Sequence, residues 1–121
     1  MIRPCFLVID YEYPDSISSR KLVLETAKYN VITAYSAREA VETFRQFPKV
    51  SGVVMHEELA DMDCGALVKE LREIRQDVLL VVTSSHGYAE CGPVDHHLDN
   101  FNPAELLSLL RKLVPNPLER V

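Results

Sequence analysis

Four polar residues each stand at the end of a short apolar run. Asp10 ends CFLVID, His56 ends GVVMH, Thr83 ends DVLLVVT and Asp99 follows VDHHL. Two carboxylates, an imidazole and a hydroxyl form a set that can hold a cation, move a proton or bind an anion. The histidine admits three readings. As a structural group, it hydrogen-bonds to Asp10, Asp99 or Thr83. As a ligand, it joins Asp10 and Asp99 in a nitrogen and oxygen site for zinc or a similar ion, though no local spacing motif accompanies them. As a titratable group flanked by acids, its pKa rises and it serves as an internal cation.

These residues need a scaffold that brings run ends together, and the rest of the chain supplies one. CFLVID (5–10) reads as a buried strand. After the YEYPD turn, Asp15 or Ser16 caps a helix to about Lys28, with Leu22, Val23 and Ala27 on its apolar side. NVITA (30–34) is a second strand, rich in β-branched residues. Ser36-Ala-Arg-Glu39 has capping-box spacing, and Ala37, Ala40, Val41 and Phe44 fall on one helical face before Pro48. GVVM leads to His56 as the third strand, and Leu67, Val68, Leu71 and Ile74 mark a third helix. DVLLVVT (77–83) is apolar enough to be an interior strand covered on both faces.

The pattern then weakens. SSHGYAECGPVDHH holds at most one helical turn, and VDHHL is a poor strand, with His86, His96 and His97 expected in an exposed, irregular stretch. Asn102-Pro103-Ala-Glu105 starts a final helix with an N-cap, a proline at the first position and an early acid. Leu106, Leu107, Leu110 and Leu113 complete its apolar stripe. Strands alternating with helices five times predict an α/β fold with a parallel sheet covered on both faces. In such sheets ligands and chemistry gather at the carboxyl ends of strands, where Asp10, His56, Thr83 and Asp99 stand.

The whole chain narrows the classes of function. Its 121 residues suit one domain. A net charge of −5 without a basic patch argues against direct nucleic-acid binding. No apolar run approaches the roughly 20 residues that cross a bilayer. Cys5, Cys64 and Cys91 are odd in number and lack CxxC spacing, which favours reduced thiols and a cytoplasmic location. Cys64, near a helix start, reads as a small buried residue. No phosphate-cradling glycine loop follows the first strand, so a nucleotide-binding enzyme is disfavoured.

LVID with its following acid, ADMDCG after the third strand, VVTSS, and LDNFNPAELLSLLRKL together resemble the receiver domain of response regulators. The resemblance runs from Cys5 to about Val114, and residues 115–121 read as a tail or the start of a linker. It implies a five-stranded, flavodoxin-like doubly wound sheet. Only fifteen residues separate Thr83 from Asp99, so the family's fourth helix is expected to be shortened or missing.

What the resemblance implies for the site is a degenerate phosphorylation pocket made of Asp10, Glu12, His56, Thr83 and Asp99. Receivers hold magnesium with paired acids at the end of the first strand; here Asp10 is followed by Tyr11, with Glu12 as a partial substitute. The phosphoryl-accepting aspartate falls on His56, the switch hydroxyl on Thr83, the switch aromatic on His96 and the lysine on Asp99. Imidazole is a poor magnesium ligand. Reversing the lysine's charge at ~4 Å shifts the interaction with a phosphoryl group by several kcal/mol at an effective dielectric of about 20.

The expectation is a non-enzymatic, phosphorylation-independent receiver with no metal or other cofactor, which works through a protein partner in signalling and leaves a homodimer open. It would be either a stand-alone protein or the N-terminal module of a longer regulator. The alternative is a metal- or small-ligand-responsive sensor that uses Asp10, His56 and Asp99. A conventional phospho-receiver would need Glu12 and Glu57 to compensate.

Overall fold

The structure, a computed structural model, describes residues 4–10, 19–84, 91–98 and 102–116. In chain order its elements are β1 (Cys5–Ile9), α1 (Ser19–Thr26), β2 (Asn30–Ala34), α2 (Ala37–Gln46), β3 (Gly52–His56), α3 (Cys64–Ile74), β4 (Leu80–Thr83), β5 (His96–Leu98) and α4 (Pro103–Leu113). The strands form one parallel sheet in the order β2-β1-β3-β4-β5. This is the expected doubly wound arrangement, with β3 at its centre and buried at every position.

Strand pleating divides the core in two. On one face Leu7, Ile9, Val53, Met55, Leu80 and Val82 pack against Ala40, Phe44, Leu67 and Leu71 of α2 and α3. On the other, Phe6, Val8, Val54 and Val81 meet Leu24 of α1 and Leu106 and Leu110 of α4. The expected apolar face of α2 is buried at all four positions, and Ser36 caps it by accepting from the Glu39 amide at 3.1 Å. Asn102 caps α4 by accepting from the amides of Ala104 and Glu105. Asn116, expected in the tail, is buried and donates from Nδ2 to the Ala27 carbonyl at 3.0 Å.

Three expectations are corrected. In α1 the core is met by Leu24 and Ala27, while Leu22 is 49% exposed. The helix ends through Lys28, whose φ of 70° lets the Tyr29 amide reach back to the Leu24 carbonyl at 3.1 Å. Leu24, Ala27 and Val23 pack against the core and leave Leu22 outside. His96 and His97 are half-buried on β5, because pairing with Val81 and Val82 draws this short strand into the sheet.

The third correction concerns the cysteines. Cys64 and Cys91 form a disulfide across 27 residues of sequence, with Cα atoms 5.0 Å apart, while Cys5 is a free thiol. Spacing gave no hint of it, because the sulfurs meet only when the chain between β4 and β5 returns to the first turn of α3. Among the described residues no helix lies between β4 and β5, and residues 85–90 fall outside them.

Candidate functional site: a strand-end pocket closed by arginine

Register aligns Ile9 with Met55 and His56 with Thr83, so β1, β3 and β4 end at one level. Asp10 follows β1 directly, and its amide donates to the Ala34 carbonyl at 2.9 Å. Val8, Val54 and Val81 belong to the face that meets α1 and α4. Two residues later along each strand, Asp10, His56 and Thr83 point to that same face. The structure therefore gathers three of the expected residues. Glu12 and Asp99 lie outside the described residues, as do Tyr11, Tyr13 and His86. His96 sits on β5 opposite Val81. Pleat alternation sends Glu57 to the opposite face from His56, although its amide still bonds to the Thr83 carbonyl at 3.1 Å.

A residue absent from the sequence reading dominates the pocket. Arg20 comes from the first turn of α1, one turn before Leu24 on the same helical face. Its Nη1 donates to Asp10 Oδ2 at 3.0 Å and its Nε to Thr83 Oγ1 at 2.5 Å. The Arg20 and Asp10 side chains are 7% and 10% exposed, and Thr83 is fully buried. Thr83 Oγ1 in turn donates to the Met55 carbonyl at 3.4 Å. One guanidinium thus joins the ends of β1 and β4 to α1. The signal that could have found it is the stripe Arg20, Leu24, Ala27, whose 4 and 3 spacing puts the arginine on the core-facing side.

His56 is 2% exposed, and its Nδ1 accepts the Glu58 amide at 2.9 Å. The Glu58 carbonyl lies 3.2 Å from the same nitrogen, a contact that a proton there would turn into a hydrogen bond. Burial holds the imidazole pKa below its ordinary value, and the neighbouring Arg20 charge lowers it further. The Glu58 carbonyl, Asp10 and Glu58 pull the other way without prevailing. The reading of His56 as a cation with a raised pKa is therefore corrected: its pKa is lowered, and the buried cation beside Asp10 is Arg20.

Among the described residues, the donor set does not fit the magnesium ion that the resemblance would imply. Asp10 already faces a guanidinium, and imidazole stands where a second carboxylate oxygen is needed. No group of three or more histidine, cysteine or acidic side chains among the described residues is arranged to hold a metal ion. No described helix is long and apolar enough to cross a membrane.

Comparison with known proteins yields matches in structure. No family model matches the chain, and no curated protein matches it in sequence. The receiver domain of the sensor histidine kinase PA1611 from Pseudomonas aeruginosa, with magnesium coordinated in its active-site cleft, superposes with a TM-score of 0.81. The identity is 16%, over 93% of this chain and 98% of that one. A response regulator receiver domain protein from Clostridium thermocellum gives a TM-score of 0.79 at 16% identity, covering 92% and 94%. The chemotaxis protein CheY4 of Vibrio cholerae gives 0.74 at 24% identity, covering 93% and 100%. TM-scores of 0.74 to 0.81 over nearly the whole of both chains establish the architecture: this chain has the fold of the response regulator receiver domain.

Proposed function

We propose that this chain is a cytoplasmic, non-enzymatic receiver-type signalling module that acts by protein contact and does not accept a phosphoryl group. The observation that carries this reading is Arg20, which bridges Asp10 and Thr83 beside the buried His56. A receiver that turns over phosphate needs a cation site, an acceptor carboxylate and a free hydroxyl. Here a fixed guanidinium engages the first and third, and an imidazole replaces the second. In this reading the pocket is held in one arrangement by a side-chain cation of the chain itself. The related fold of PA1611 holds magnesium in its cleft, which makes ion binding the sharpest point of contrast.

The test is an amide NMR titration of the protein with magnesium and beryllofluoride. Unchanged resonances for Asp10, Arg20, His56 and Thr83 are the expected outcome. Saturable shifts at those residues would overturn the reading and return the pocket to phosphoryl chemistry.

A further inference from the structure

The segment between β4 and β5 is held against α3 at two places of different chemistry. At the amino end of α3, Cys64 is bonded to Cys91, and the backbone there is close enough that a Cβ on Gly65 would lie 3.7 Å from the Cys91 carbonyl oxygen. Toward the carboxyl end of α3, Arg72 Nη2 donates to the Pro93 carbonyl at 3.1 Å and to Asp95 Oδ2 at 3.2 Å. Asp95 is itself fixed, accepting the Leu80 amide at 2.8 Å. Between the two attachments stands Gly92, with φ of 91° and open space where a side chain would be. A groove of about 700 Å³ runs along this seam, lined by Gly65, Val68, Lys69, Arg72 and Pro93 among others.

We propose that Cys64 and Cys91 are a reversible redox site, at which dithiol reductants open the Gly65 end of this groove and low-molecular-weight disulfides close it. This inference rests on the cytoplasmic location proposed above; in such a compartment a disulfide is ordinarily transient and redox-sensing rather than a permanent staple. The exchange balances without further reactants. A reductant thiolate attacks one sulfur, forms a mixed disulfide and expels the other as thiolate. The reductant's second thiol then resolves the mixed disulfide. Two electrons and two protons pass from the dithiol to the protein, which leaves two cysteine thiols and an oxidised reductant.

Both cysteines are buried, at 6% and 3% exposure, so exchange requires local opening. Gly92 provides the pivot, because Cys91 lies outside the strand ladder and the Arg72 hook keeps Pro93 and Asp95 in place. The sheet therefore survives reduction, and the change is confined to one end of the groove.

The test treats the folded, oxidised protein with dithiothreitol and follows thiol content and amide spectra. Reactive thiols should rise from one, Cys5, to all three cysteines of the chain without denaturant. Amides of Val68 and Ser84 should shift, those of Leu80 and Asp95 should hold, and glutathione disulfide should reverse the change. A Cys64→Ser/Cys91→Ser double variant should show the reduced spectrum under oxidising conditions; if it does not fold, the wild-type experiment decides alone. A thiol count that stays at one until the protein unfolds would overturn the proposal. So would full reduction with shifts restricted to the two cysteines and their chain neighbours. Neither result depends on magnesium or beryllofluoride, so failure here is separable from failure of the silent-pocket reading.

Discussion

The two closures at the carboxyl edge of this sheet use opposite physics. Over β1 and β4, a buried guanidinium satisfies a carboxylate and a hydroxyl. Beside α3, a covalent bond and a partly buried arginine hold residues 91–95, which lead into β5. The first depends on charge in a place without water, so loss of either partner strands the other. The second adds an ion pair nearer the surface to a covalent bond that can break while every residue stays present. A buried ion pair therefore suits a site that holds one state, and a disulfide suits one that changes state.

The sharpest way to break the comparison is to remove the pocket's cation. Arg20→Met should cost about 3–5 kcal/mol, because Asp10 keeps its charge in a buried site. Adding Asp10→Asn should recover much of that loss, and urea denaturation of both variants measures it. If Arg20→Met is nearly neutral, the ion pair does not hold the pocket. Reduction of Cys64–Cys91 should follow in size. The entropy released to the unfolded chain by opening a 27-residue separation is worth about 3–4 kcal/mol, which a shift in the denaturation midpoint would report.

Thr83→Val tests the hydroxyl's share. It takes the acceptor from the Arg20 Nε–H and should cost about 1–3 kcal/mol. The change should leave the disulfide's thiol count untouched.

His56 sharpens the electrostatic side through pH. Its folded pKa lies below the ordinary 6.5, so the unfolded chain binds the proton first. Stability is fully present above that value and falls as pH drops through it, levelling below the folded pKa. Denaturation midpoints between about pH 8 and pH 5 should show this slope, and His56→Gln should flatten it.

The smallest effect is expected at Asp61. Its carboxylate accepts the Ala37 and Arg38 amides at 2.9 and 3.0 Å, which ties the β3–α3 connection to the start of α2. Those bonds, the Arg38 amide foremost, hold its pKa below the ordinary 3.8. The stability it lends is present above that value and is lost as pH falls through the folded pKa. Asp61→Ala should cost about 1 kcal/mol at neutral pH by thermal denaturation, as loss of a helix cap does.

Much of the scaffold was legible because it rests on short-range pattern. Ala37, Ala40, Val41 and Phe44 repeat at helical spacing and are all buried. Asn102 and Pro103 mark a helix start by local capping chemistry, and the helix begins at Pro103. Period alone did not rotate α1 correctly. Of the expected Leu22, Val23 and Ala27, Ala27 is buried and Val23 packs against the core, while Leu24 takes the place expected for the exposed Leu22. That error hid Arg20, which shares the face of Leu24. VDHHL failed as a strand signal because its two histidines lack β propensity, and pairing with β4 supplied what the residues did not.

By itself the sequence determined the alternation of elements, the level of the strand ends and the polar residues that close them. Hydrophobic period and capping act within a turn or a strand, so they can be read locally. Only the tertiary structure decided which groups meet there. Arg20 reaches Thr83 across 63 positions and Asp10 across 10, and Cys64 meets Cys91 across 27. Such partners are chosen by strand order, helix rotation and the course of the chain between β4 and β5, none of which is encoded in spacing. The same cause decided the titration of His56. Acids expected at other strand ends, Asp10 and Asp99, suggested a raised pKa as one reading, but burial and a guanidinium folded in from α1 lower it.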